Sequence, residues 1–234
     1  MNYRIIISTL AIIFFTITIF AQETKEINVD PFTKIKLEGS AQWELIPSDE
    51  HKVIIESKSA DVFNYIDVEN KGNTLIVSTT EKSKNINKLF KSVVIKIYFE
   101  SIEDISLGGV GSITMSESFS TTHMVASLRG TGSMDLNINC SDFTGNIYGT
   151  GSLTIVGNST ISTIRVEGVG NFDGYDFTTS TTTVTVSGVG GAQVSASNSL
   201  TATINGVGSI KYKGDPETKN FNSNGLGSIK KSND

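Results

Sequence analysis

The segment Ile147-Tyr148-Gly149-Thr150-Gly151-Ser152-Leu153-Thr154-Ile155 sets two glycines one residue apart, with apolar side chains at alternate positions on both sides. The unit recurs as Gly109-Val110-Gly111-Ser112-Ile113, Gly130-Thr131-Gly132-Ser133-Met134, Gly168-Val169-Gly170-Asn171-Phe172, Gly188-Val189-Gly190-Gly191-Ala192, Gly206-Val207-Gly208-Ser209-Ile210 and Gly225-Leu226-Gly227-Ser228-Ile229. Successive first glycines are 21, 19, 19, 20, 18 and 19 residues apart. A repeat of this length matches one coil of a solenoid.

Aligned on the first glycine, the copies separate into columns that alternate with the period of a strand. Leu107, Leu128, Ile147, Val166, Val186, Ile204 and Ser223 stand two residues before it, and Ile113, Met134, Leu153, Phe172, Ala192, Ile210 and Ile229 four residues after it. These mostly apolar columns are expected to face inward. The intervening polar positions are expected to face solvent: Ser106, Ser127, Asn146, Arg165, Thr185, Thr203 and Asn222 before the corner, and Thr114, Asp135, Thr154, Asp173, Gln193, Lys211 and Lys230 after it. Each coil thus reads as a short strand, a glycine corner, a second short strand and a less regular return. A sharp corner favours glycine because it needs either positive φ or close backbone approach. The pattern predicts an all-β fold, a right-handed parallel β-helix of about seven Gly-x-Gly coils; at about 4.8 Å per coil it would be near 30 Å long.

Upstream, Ile35, Leu37, Gly39, Trp43 and Leu45 keep the same phase and read as a degenerate copy. Further alternating strands are expected at Val53 to Glu56, Ile66 to Glu69, Leu75 to Ser78 and Val93 to Phe99, with a turn at Asn70 to Asn73 and a charged loop at Glu81 to Lys91. This β-rich region is expected to cap the first coil, because an open end presents a template for edge pairing. The organisation is then a signal peptide over 1–21, a β-rich N-terminal unit over 22–105 and the solenoid repeats over 106–234. No capping element is evident after the last copy, which ends in Lys230-Lys231-Ser232-Asn233-Asp234. Its charges would blunt that edge, or the end would pack against another molecule, making homo-oligomers possible.

Arg4, the uncharged run Ile5 to Phe20 and Ala21 ahead of polar Gln22 have the form of a cleavable export signal. Export to the periplasm, cell surface or medium is expected, with no membrane span in the mature chain. Removal of 1–21 takes away Arg4 and moves the net charge from −5 to −6, which disfavours nucleic acid and anionic membranes as partners. The 22 glycines against 3 prolines suit many short strands joined by turns. A single cysteine, Cys140, excludes an internal disulfide and reads as a small packing residue.

The signal segment, the unit opening Phe32-x2-Ile35-x-Leu37-x-Gly39 and the serial Gly-x-Gly-Ser-Ile repeats together resemble the bacterial family called putative auto-transporter adhesin, head GIN domain. The likeness runs over roughly residues 28 to 231. It implies a β-helix in exported proteins and a role in surface adhesion. It carries no catalytic residues, and the chain has no pattern of a translocator barrel.

The repeat is unsuited to the chemistries that other glycine repeats serve. A calcium β-roll needs a carboxylate where this chain has its Ile113 to Ile229 apolar column, and no Lys-Ser/Thr follows the glycines to make a nucleotide loop. His51 and His123 lie far apart, with no metal-ligand or acid-base motif around them, so no metal or cofactor is expected. Asp135 and Asp173 share an outward column two coils apart, about 9.6 Å, at the upper end of the separation of an inverting glycosidase pair. This leaves a polysaccharide-acting enzyme as one alternative and a structural envelope protein as another. The preferred reading is a non-enzymatic binding or adhesion module. Its contact strip is Arg129, Tyr148, Arg165 and Glu167, on neighbouring coils just before the corner, facing a glycan or an envelope or surface protein.

Overall fold

The computed structural model describes residues 22–80 and 92–232. The expected signal segment and the charged loop at 81–91 lie outside the described residues. The N-terminal part contains β1 (Glu23–Asn28), β2 (Lys34–Glu38), β3 (Ser40–Pro47), β4 (Lys52–Ser57), a 3-10 turn over Ala60–Tyr65, β5 (Ile66–Lys71), β6 (Thr74–Thr79), β7 (Val94–Phe99) and β8 (Asp104–Leu107). The repeats follow as β9 (Val110–Leu128), β10 (Thr131–Ile147), β11 (Thr150–Val166), β12 (Val169–Val186), β13 (Val189–Ile204), β14 (Val207–Lys213), β15 (Thr218–Ser223) and β16 (Leu226–Lys231).

From β9 to β16 every pairing is parallel, each coil on the next, and the corners stack in register: Gly132 pairs with Gly111 and Gly151, and Gly190 with Gly170 and Gly208. The fold is the parallel β-helix that the alternation predicts. The six complete copies of the two inner columns, Leu107 to Ile204 and Ile113 to Ile210, are all at 2% exposure or less. Burying each large aliphatic side chain of this kind contributes about 1.5–3 kcal/mol, so the stacked columns hold the rod together.

The return is more regular than the sequence suggests. Strands β9 to β13 run almost from one corner to the next, and pairing continues through segments such as Asp142 to Ile147 against Ile161 to Val166. These segments are rich in Ser and Thr, yet their inward hydroxyls are buried in mutual bonds, Ser162 to Thr182 at 2.9 Å among them. A second correction concerns the outward column before the corner. Ser127 and Asn146 are buried, at 5% and 6% exposure. They are short side chains on a flat sheet beside the larger Arg129 and Tyr148, and the Asn146 amide donates to Ser127 Oγ at 3.4 Å.

The two corner glycines serve different purposes. A Cβ on Gly149, whose φ is not positive, would stand 1.9 Å from the carbonyl oxygen of Gly130 one coil back. Gly151 adds a φ of +146° to a contact of 1.8 Å with the Gly132 oxygen. Close stacking of backbones therefore excludes a side chain at both glycine positions, while the residue between them points outward.

The upstream copy is a coil in its own right. Strands β2 and β3 pair in parallel with β8 and β9, and Ser40 stands opposite Val110, which sets Gly39 on the same corner as Gly109. Beyond it, β6 and β7 continue the parallel stack, and β4 and β5 then pair antiparallel, with β1 antiparallel outside β4. The direction of the stack reverses at this end, where β1 and β5 are the outermost strands among the described residues. At the other end β15 is exposed throughout, and β16 has no outer strand among the described residues.

Candidate functional site

The column just after the corner forms one continuous outward row. Glu44, Thr114, Asp135, Thr154, Asp173, Gln193, Lys211 and Lys230 are each opposite the next across successive coils. Acids hold its first, third and fifth positions, Glu44, Asp135 and Asp173, and lysines hold its last two.

A bulge opens this face near the first repeat. Leu136 stands opposite Met115 and Ile138 opposite Phe119, so the single residue Asn137 faces Ser116, Glu117 and Ser118. Two extra residues in one strand bend it away from its partner and re-aim its side chains. Behind the bulge lies a hollow of about 200 Å³, walled by Thr114, Ser116, Asp135, Asn137, Thr154 and Val156. Its floor is the buried Met115 and Leu136. A second hollow of about 210 Å³ shares Thr114 and Ser116 and extends to Glu44, Ile46 and Glu117. The Asn137 amide donates to the Ser116 carbonyl at 3.2 Å, which fixes its orientation over the gap. Hydroxyl, amide and carboxylate groups over an apolar floor can hydrogen-bond a polar ligand and pack against its apolar face.

The strip singled out from the sequence lies on the other side of the corner. Arg129 and Tyr148 are brought together, the guanidinium 4.6 Å from the ring centroid, a contact of the cation–π type. The ring face turned toward Arg129 is thereby covered. Arg165 and Glu167 are exposed on the following coil. Asp104 belongs to the same region, where burial pushes its carboxyl upward against the opposing pull of Lys34 and Arg129.

Between the strip and the hollows runs a ridge that the sequence reading leaves unassigned. The residue between the two glycines points outward, and Val110, Val169, Val189 and Val207 are 49–54% exposed, with Leu226 at 75%. Its signal in the sequence is the run of Val, Thr and Leu at one fixed position of every copy.

The remaining candidates are accounted for locally. Asp135 is exposed, and Asp173 accepts the Tyr175 backbone N–H at 3.3 Å. His123 Nδ1 lies 3.1 Å from the Asp142 carboxylate on the next coil, a pairing invisible in the sequence because the two are a coil apart. His51 meets the edge of Phe32 at 5.7 Å. Cys140 is half-buried, and burial pushes its thiol up, although a hydrogen bond with Ser159 opposes this; an elevated thiol is a poor nucleophile. Among the described residues no group of three potential metal ligands forms, and no helix is long and apolar enough to cross a membrane.

The stacked parallel coils with an antiparallel N-terminal region place the chain in the class of parallel β-helix proteins. The chain belongs to the family described as putative auto-transporter adhesin, head GIN domain, whose model matches residues 31–216. It is similar to the crystal structure of a putative adhesin from Bacteroides fragilis, with 26% identity and a TM-score of 0.84 over 91% of this chain and 97% of that one. A putative lipid binding protein from Parabacteroides distasonis shares the fold at 24% identity and a TM-score of 0.71, covering 90% and 96% of the two chains. A putative adhesin from the same organism does so at 20% and 0.65, covering 91% and 97%. No curated protein matches the chain.

Proposed function

We propose that this protein is an exported, non-enzymatic adhesion module that holds a glycan along the row after the corner, with the hollows at Asn137 as its main grip. The observation that carries this reading is the bulge at Ser116 to Ser118, beside which lie two adjoining hollows, one lined by hydroxyl, amide and carboxylate groups over an apolar floor and the other by hydroxyl and carboxylate groups. Sugars present the complementary surface, with hydroxyls at the rim of the ring and C–H groups on its faces. Arg129, Tyr148, Arg165 and Glu167 form a second, charged shoulder across the ridge, suited to an envelope or surface protein.

Purified protein screened on an array of surface polysaccharides should retain a subset of them. Asn137→Ala and Asp135→Asn should each weaken retention about tenfold, a loss of one or two hydrogen bonds, while thermal unfolding stays unchanged. Full retention by both variants would exclude the hollow as the grip. The same incubations distinguish binding from cleavage: release of shortened oligosaccharides that stops in Asp135→Asn or Asp173→Asn would replace this reading with a hydrolytic one.

A further inference from the structure

The basic end of the row contains a third hollow with a different chemistry. At the position after the second glycine, five copies carry serine and one carries Asn171, but Gly191 has no side chain, and the following inner position is the small Ala192. The result is a space of about 110 Å³ beside Asn171, Gln193, Ser209 and Lys211, roughly the liquid volume of three or four waters. The point that a Cβ of Gly191 would occupy lies 2.9 Å from the Ser209 carbonyl oxygen, 3.4 Å from Asn171 Oδ1 and 3.6 Å from Ser209 Oγ, so two acceptor oxygens and one hydroxyl border the gap.

Two ammonium groups belong to the same end. Lys211 and Lys230 are directly opposite one another on adjacent coils, both exposed, and neither has a carboxylate partner among the described residues. Like charges facing each other across a parallel pair oppose stability. The neighbouring lysines differ: Lys213 lies over the Tyr175 ring at 4.5 Å, and Lys219 and Lys231 both reach Asp215. Lys211 and Lys230 are thus the two cations of this end left facing the row.

We infer that the hollow over Gly191 and Ala192, with Lys211 and Lys230, is a subsite for an anionic oxygen group, the carboxylate or sulfate of an acidic glycan lying along the row. The ammonium groups supply charge-assisted hydrogen bonds, and the Ser209 hydroxyl and the Gln193 amide can donate to the remaining oxygens, while Asn171 Oδ1 and the Ser209 carbonyl oxygen can accept from neighbouring sugar hydroxyls. Glu44, Asp135 and Asp173, earlier in the row, repel the same group, which favours placing it at the Lys211 and Lys230 end. The inference rests on the glycan reading of this face and gives it a charge class.

The test compares oligogalacturonate with its methyl ester, and a sulfated galactan with its desulfated form. The acidic member of at least one pair should be retained about tenfold more strongly, and the pair that shows the difference identifies carboxylate or sulfate as the source. Lys211→Ala and Lys230→Ala should each remove most of the difference, and Lys219→Ala, a lysine of the same end bound to Asp215, should leave it. Equal retention within both pairs, or an equal loss in Lys219→Ala, overturns the subsite. Retention of the neutral members that depends on Asn137 preserves the wider glycan reading in either case. If no polymer is retained, that wider reading fails, and titration of galacturonate alone decides the subsite: amide shifts at Gly191, Ser209 and Lys211 support it, and unmoved amides overturn it.

Discussion

The rings of Phe143 and Phe177 meet edge to face, centroids 5.1 Å apart, although a whole coil separates their strands. The intervening coil places the small Ser162 level with Phe143, leaving room for one ring to reach the other. Phe143 also lies 6.5 Å from Phe172, so it touches β12 at two points across the intervening coil. Phe143→Ala should destabilise the protein by about 3–5 kcal/mol, because the rigid backbone stack cannot collapse into the space. Urea denaturation measures this; a loss under about 1 kcal/mol would show that the coils close over the gap.

Gly149 and Gly72 separate two reasons for glycine. Gly72 has a φ of +62° and open space around its Cβ position, whereas Gly149 has no positive φ and a carbonyl oxygen 1.9 Å from that position. Gly72→Ala should cost about 1–2 kcal/mol, the strain of a left-handed residue, and Gly149→Ala about 3 kcal/mol or more. The order of the two denaturation midpoints is the check, and a milder effect at Gly149 would contradict the close stacking of the corners.

Lys96 and Glu56 join β7 to β4 with an N···O distance of 2.6 Å. The hydrogen bond to Glu56 is the largest cause of a raised Lys96 pKa, with burial opposing it. Because the folded value lies above the unfolded one, the pair's contribution is fully present below the ordinary lysine range and is lost as pH rises through the folded value. Stability should therefore decline in alkaline solution, and Lys96→Met should flatten that decline while costing under about 1 kcal/mol at neutral pH. Urea midpoints at about pH 8 and about pH 11 for both proteins give the comparison; identical slopes would rule the pair out.

Val169, Val189 and Val207 should each tolerate threonine with a change within about 0.5 kcal/mol, since both residues suit strands and the ridge is exposed. A loss of several kcal/mol, together with a concentration-dependent melting temperature, would instead show that the ridge is covered in an assembly.

The ladders from Leu107 and Ile113 are legible in the sequence because alternation and a near-constant repeat reinforce each other. The return is not, because Ser162 and Thr182 read as polar surface until the partner 20 residues away is known to share their burial. Asp135 and Lys211 are legible as outward positions. The hollows beside them are not: one lies beside two residues added near Ser116 and the other beside the side chain missing at Gly191. A periodic pattern reveals what recurs, whereas both hollows arise where one copy departs from the rest.

The pairing of β2 with β8 and of β3 with β9 sets an order of events for a chain made from its N-terminus. The first coil meets β6 once Thr74 to Ser78 are made and β7 once Val94 to Phe99 follow, but its other edge stays open until Asp104 to Leu107 and then Val110 arrive. Each later coil needs only the next 18 to 21 residues and a template already in place. Growth would then resemble the extension of a crystal from a seed, with the slow step confined to the cap. A mutation in β2 or β8 should delay the whole molecule, and one in β14 only its last turns.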